Sequence, residues 1–197
     1  MRARCYAELM RADACAVLLA GALMGCQAHP PAHWAQGGSR LDIPRARWSN
    51  GEGVLDLMPD GRVLGNGSHL FTIDAAGRVF DVENDPIALL ETDGQLVGKD
   101  DANLGRVGLR NASPPGGDVA WLTLDERENV VRFDPEGGPH PDGAWSGCGP
   151  ALRTCTLATH VVALSQARGR GGSRVRMGFG MGVGTGVGTG FGMFVMP

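Results

Sequence analysis

The chain has 197 residues, 43% of them hydrophobic and 20% charged, enough for one modest packed domain with appendages and too apolar for a wholly disordered polymer. Its net charge of −3 argues against nucleic acid as the main partner, which would call for a basic face. The 32 glycines and 12 prolines predict many turns and at least one low-complexity stretch.

The chain opens with Arg2, Arg4 and Arg11, followed by an apolar run over residues 14–24. That run fits the core of a signal peptide and is short for a membrane-spanning helix. It ends in Leu23-Met24-Gly25-Cys26, which resembles the lipobox of bacterial lipoproteins: an aliphatic residue, a variable one, a small one, then cysteine. The resemblance implies a signal peptide over residues 1–25, a diacylglycerol thioether (with a palmitate-type acyl chain on the new amine) at Cys26, and cleavage before that cysteine. Two or three acyl chains hold a protein firmly where one gives only marginal binding. In that class an aspartate after the cysteine often retains the protein at the inner membrane. Gln27 stands there instead, which implies the outer membrane of the cell envelope. The body as a whole resembles uncharacterised envelope lipoproteins, a likeness that implies an address and no activity.

Residues 26–39, rich in proline and small residues, read as the lipidated cysteine and a flexible tether. His29 and His33 lie within it, but two prolines between them oppose a helix that would align them on a metal.

Residues 40–167 are predicted to form an all-β domain, a small sandwich or barrel-like meander of short hairpins. Apolar runs at 54–58, 62–64, 69–74, 78–82, 87–91, 95–97, 121–125 and 130–133 alternate with turn signals. A loose repeat links Asp60-Gly61-Arg62-Val63, Ala76-Gly77-Arg78-Val79 and Asp93-Gly94-Gln95-Leu96, with Glu128-Asn129-Val130-Val131 as a degenerate copy. Glycine and Asn/Asp supply the positive φ that tight hairpins need. One hairpin cannot bury its own apolar face, so the copies are expected to share a core. Trp48, Phe71 and Trp121 are candidate core residues that could equally line a ligand face.

Once the signal segment carrying Cys5 and Cys15 is removed and Cys26 is acylated, Cys148 and Cys155 remain. An even pair in an oxidising compartment is expected to form a disulfide. The rival is a zinc site from His140, Cys148, Cys155 and His160, whose spacing lacks the paired CxxC of strong zinc motifs.

No nucleophile elbow, zinc-protease, phosphate-loop or dinucleotide motif occurs in a supporting context, so no residue receives a catalytic assignment and no cofactor or metal is implied. Asp/Asn-rich stretches at 83–85 and 100–103 read as solvated turns rather than calcium loops.

Residues 156–167 read as a last strand or a short helix. Beyond them, residues 168–197 form an Arg/Gly-rich linker and a tail in which glycine holds every even position from 178 to 192. That tail is open to three readings: a disordered segment, a membrane-associated one, or a self-associating one. The expectation is therefore an envelope β-domain held to the membrane by lipid, a non-catalytic structural or binding module with a protein or glycan partner and an oligomeric state left open. The alternative is an envelope hydrolase acting on glycan or peptide, which a desolvated carboxylate pair in a pocket would favour.

Overall fold

A computed structural model describes residues 28–170. The expected signal peptide, Cys26 and the glycine-rich tail lie outside the described residues.

Twelve strands follow one another: β1 (Ala46–Asn50), β2 (Gly53–Leu57), β3 (Arg62–Gly65), β4 (Ser68–Ile73), β5 (Arg78–Phe80), β6 (Pro86–Leu90), β7 (Gln95–Gly98), β8 (Asn103–Val107), β9 (Asn111–Ser113), β10 (Leu122–Leu124), β11 (Asn129–Phe133) and β12 (Pro139–Ser146). Each pairs antiparallel with its chain neighbours, and β12 returns to pair with β1, Trp145 opposite Trp48, to close the barrel. The expected meander of hairpins is thus a closed barrel rather than a sandwich. Among the described residues, closure leaves no exposed sheet edge to recruit another chain.

The sequence repeat is a repeat of turn chemistry. At Met58, Asp74, Glu91 and Asp125 the residue's N–H donates to the carbonyl four residues on, and its carbonyl accepts from the N–H three residues on. The residue at that third position has positive φ: Gly61, Gly77, Gly94 and Glu128. This is a type I turn followed by a left-handed residue, a favoured three-residue hairpin connection. The same bonds recur at Asp81 with Asn84 and at Asp134 with Gly137, two copies the sequence repeat did not expose. Asp74, Asp81 and Asp125 each accept further bonds from backbone N–H groups two and four residues on. Aspartate at this position therefore builds the turn as well as solvating it.

An eight-stranded barrel is just filled by its own side chains, and diameter grows with strand number. Twelve strands enclose more space than side chains alone can fill. The filler here is α1 (Leu152–Arg170), a helix of 19 residues. Every residue from Thr154 to Val161 is buried, so this stretch has no solvent face. Its apolar residues Leu157, Ala158, Val161, Ala163 and Leu164 share one core with inward residues of the strands, among them Trp48, Leu57, Phe71, Val79, Leu96, Leu122 and Trp145. The choice between strand and helix for residues 156–167 is settled for the helix, which begins four residues earlier.

Chain direction defines two rims. The loops β2–β3, β4–β5, β6–β7, β8–β9 and β10–β11 surround the point where α1 enters (the entry rim). The loops β1–β2, β3–β4, β5–β6, β7–β8, β9–β10 and β11–β12 surround the point where it leaves (the exit rim). Consistently, Thr156 near the helix start bonds the Leu109 carbonyl of the β8–β9 loop, and Gln166 near its end accepts from Arg132 on β11.

Residues 28–39 correct the expectation of a flexible tether. The His29 N–H donates to Asp100 and the Ala32 N–H to Asp101 on the exit rim. Trp34 meets Phe80 edge-on at 5.0 Å, with Arg78 stacked beside both rings. Gly38, Ser39 and Leu41 then bond carbonyls of Ala76, Leu90 and Ala75 near the entry rim. Ser39, placed at the end of the tether by composition, is 3% exposed. The segment is a strap running the length of the barrel. Composition missed it because isolated aromatic and backbone contacts leave no periodic signature.

Candidate functional site

The lumen is the usual ligand cavity of a wide barrel, and here it is occupied by protein. Its polar atoms are matched one by one. Thr159 Oγ donates to the Cys155 carbonyl and accepts from the Trp145 indole, while Thr154 Oγ donates to the Asp42 carbonyl. His160, completely buried, accepts from the Trp121 indole at Nδ1 and donates from Nε2 to the Leu104 carbonyl. Burial pushes its pKa down to about 4, outweighing the upward pull of the Leu104 bond. His160 is therefore a neutral structural bridge between helix and wall.

Cys148 and Cys155 are joined as a disulfide, Cα atoms 6.2 Å apart, and link the end of the wall to the first turns of α1. The four residues of the rival zinc site are not brought together around an ion. The two sulfurs bond each other, His160 is held in the lumen, and His140 at the exposed start of β12 pairs with Asp134 at 3.0 Å. Trp48 and Phe71 are core residues, whereas Trp121 is half-buried and reaches a surface groove.

Of the acidic stretches, Asp100 and Asp101 anchor the strap. Asp81, Glu83 and Asp85 bring three carboxylates within 4.8 Å of one another. Asp81 Oδ1 already takes the N–H groups of Glu83 and Asp85, which accounts for the cluster as a turn. The carboxyl shifts that are resolved, at Asp60, Asp125 and Asp134, are all downward: Arg62's N–H stabilises the first, the Asn129 side chain the second and His140 the third. A general acid needs the opposite shift.

Two surface depressions have chemical character. A polar groove of about 330 Å³ beside β9 is lined by Asp93, Arg106, Asn111, Asp118 and Arg153. Arg153 Nε is buried in it without a hydrogen-bond partner, and one Nη donates to the Val107 carbonyl at 3.3 Å. An apolar groove of about 970 Å³ lies at the exit rim between the β9–β10 and β11–β12 loops and the end of α1, with Pro114, Val119, Trp121, Phe133 and Pro135 in its walls. No sequence motif marks either one, since their residues come together only when distant loops meet.

No protein family matches this chain, and no curated protein or solved structure is similar to it. No helix among the described residues is long and apolar enough to cross a membrane.

Proposed function

We propose that this protein is a lipid-anchored domain of the bacterial cell envelope, held in the outer membrane through Cys26, that serves as a non-catalytic binding or structural module. The carrying observation is the filled lumen. A twelve-stranded barrel that spends its interior on its own helix has no central chamber for substrate, and its recognition surfaces are the rims. The polar groove, which has Arg106 and Arg153 in its lining, is the strongest of these for an envelope partner carrying carboxylate groups, because arginine pairs with carboxylates by charge-assisted hydrogen bonds. The lipobox-like run before Cys26 supports the address.

The test is mass spectrometry of the membrane-fractionated mature protein beside Cys26→Ala. The expected result is a mature chain beginning at an acylated Cys26, and a variant lost from the membrane fraction. A chain beginning elsewhere, or a wild type in the soluble fraction, overturns the reading.

A further inference from the structure

We infer that the barrel stands on the bilayer with its exit rim down, the apolar groove at Val119 and Phe133 resting against lipid. The inference rests on acylation of Cys26 and adds to it a defined orientation.

The first argument is length. Cys26 lies two residues before Ala28, and two residues of fully extended chain span at most about 7 Å. Ala28 and Pro30 line a depression with Asp85, Pro86 and Lys99, on the β5–β6 and β7–β8 loops of the exit rim. The next residues are fastened there by the bonds from His29 to Asp100 (2.9 Å) and Ala32 to Asp101 (2.8 Å). A long free tether would leave the domain every orientation. This one has almost no slack, so a lipid on Cys26 brings the β7–β8 loop to the interface.

The second argument is what else that rim carries. The neighbouring β9–β10 and β11–β12 loops form the apolar groove. Val119 is 80% exposed, more than Val82 at 38% or Leu109 at 57%. An apolar patch that water would otherwise wet is stabilised by contact with acyl chains.

The third argument is where α1 emerges. The helix leaves the barrel at the same rim, beside the groove lined by Ala163, Gln166 and Ala167. Arg168, Arg170, Arg174 and Arg176 follow in sequence, and after them 21 residues without a charge. The described chain thus begins and ends at one rim, and the four arginines lie at or just beyond its C-terminal end in sequence; lipid phosphates attract such cations. Exposed carboxylates on the rim, among them Glu83, Asp85, Asp100 and Glu136, oppose deep entry into an anionic leaflet. The contact is therefore shallow and suits zwitterionic headgroups.

The experiment uses full-length acylated protein in phosphatidylcholine vesicles containing doxyl-labelled lipid. An environment-sensitive fluorophore is attached to Val119→Cys or, on the opposite rim, to Leu109→Cys. Both positions are exposed, so neither substitution disturbs packing. Quenching several-fold stronger at 119 than at 109 is the expected result. Equal quenching, or stronger quenching at 109, overturns the orientation while leaving the anchor intact. Two further outcomes also overturn it: protection of the 119 probe in lipid-free Cys26→Ala protein that disappears on deleting residues 177–197, which assigns the groove to the chain's own tail, or protection that appears only with rising protein concentration, which assigns it to a second copy. Absence of acyl mass on Cys26 removes the anchor and the orientation together, and the mass spectrum distinguishes that failure from the others.

Discussion

The indole N–H of Trp121 donates to Nδ1 of His160 at 3.0 Å, and this bond decides the state of the imidazole. An indole nitrogen only donates and a carbonyl only accepts. Nδ1 is therefore bare, and Nε2 carries the proton that reaches the Leu104 carbonyl at 2.8 Å. Protonating Nδ1 would turn acceptor into donor and face two N–H groups toward each other inside the lumen.

Stability should therefore fall on acidification in a defined window. His160 titrates at about 4 when folded against an ordinary value of 6.5. With the folded value depressed, the contribution is fully present above about pH 6.5 and is lost as pH falls through about 4. The size is about 3 kcal/mol at roughly 1.4 kcal/mol per pKa unit. Urea unfolding at pH 7 and pH 4 should show the loss, and His160→Gln should remove most of it. An unchanged pH dependence in that variant would sink the assignment. Trp121→Phe should cost about 1–3 kcal/mol at pH 7 by stranding Nδ1.

Reducing the disulfide should loosen the start of α1. Cys148 and Cys155 are separated by seven positions, so the chain-entropy term for so short a loop is about 2–3 kcal/mol. A Cys148→Ala/Cys155→Ala pair should lower the urea midpoint accordingly and speed amide exchange from 153 to 157 before the rest of the helix. Two reactive thiols in the oxidised native protein would contradict the bond.

Gly105 on β8 lies against His160 of the helix. Its φ is +102°, and a Cβ there would overlap the Ser113 carbonyl and crowd His160 Cε1 at 3.2 Å. Gly105→Ala should cost about 3 kcal/mol or more, combining backbone strain with overpacking. Thermal unfolding checks this, and a loss under about 1 kcal/mol would show that the β8–β9 wall yields easily.

Two non-glycine residues at the left-handed turn position should respond oppositely to glycine. Asn84 (φ 66°) bonds only through its N–H to Asp81, so Asn84→Gly should be neutral or stabilise by a few tenths of a kcal/mol. Glu128 (φ 65°) also accepts from the N–H groups of Gly149 and Cys148 where the chain turns toward α1. Glu128→Gly should therefore lose about 1 kcal/mol or more despite relieving the backbone. Equal effects in a denaturation series would show that the Glu128 carboxylate bonds to Cys148 and Gly149 add nothing to stability.

Eight strands were legible as apolar runs between turn signals, because alternation and Asp/Gly turns are local properties. The strands that escaped, β1, β8, β9 and β12, are short, polar or interrupted. In β12, Pro139 and Pro141 occupy positions opposite Phe133 and Val131 and mask the pattern. The disulfide partners were legible by elimination. The Arg153 groove and the Val119 groove were not, since no spacing along the chain encodes a meeting of loops.

The sequence by itself determined the repeated turns at Asp74, Asp81 and Asp125: their positive φ and the bonds that each aspartate accepts from backbone N–H groups two and four residues on are local. Only the tertiary structure decided that the hairpins close into a barrel, because closure joins Arg47 to Ser146 across 99 positions. It also decided that an unremarkable stretch of threonines, valines and alanines becomes a buried helix. Its polar groups are tolerable there only because Trp121, Trp145, Leu104 and Asp42 arrive from distant parts of the chain to meet them.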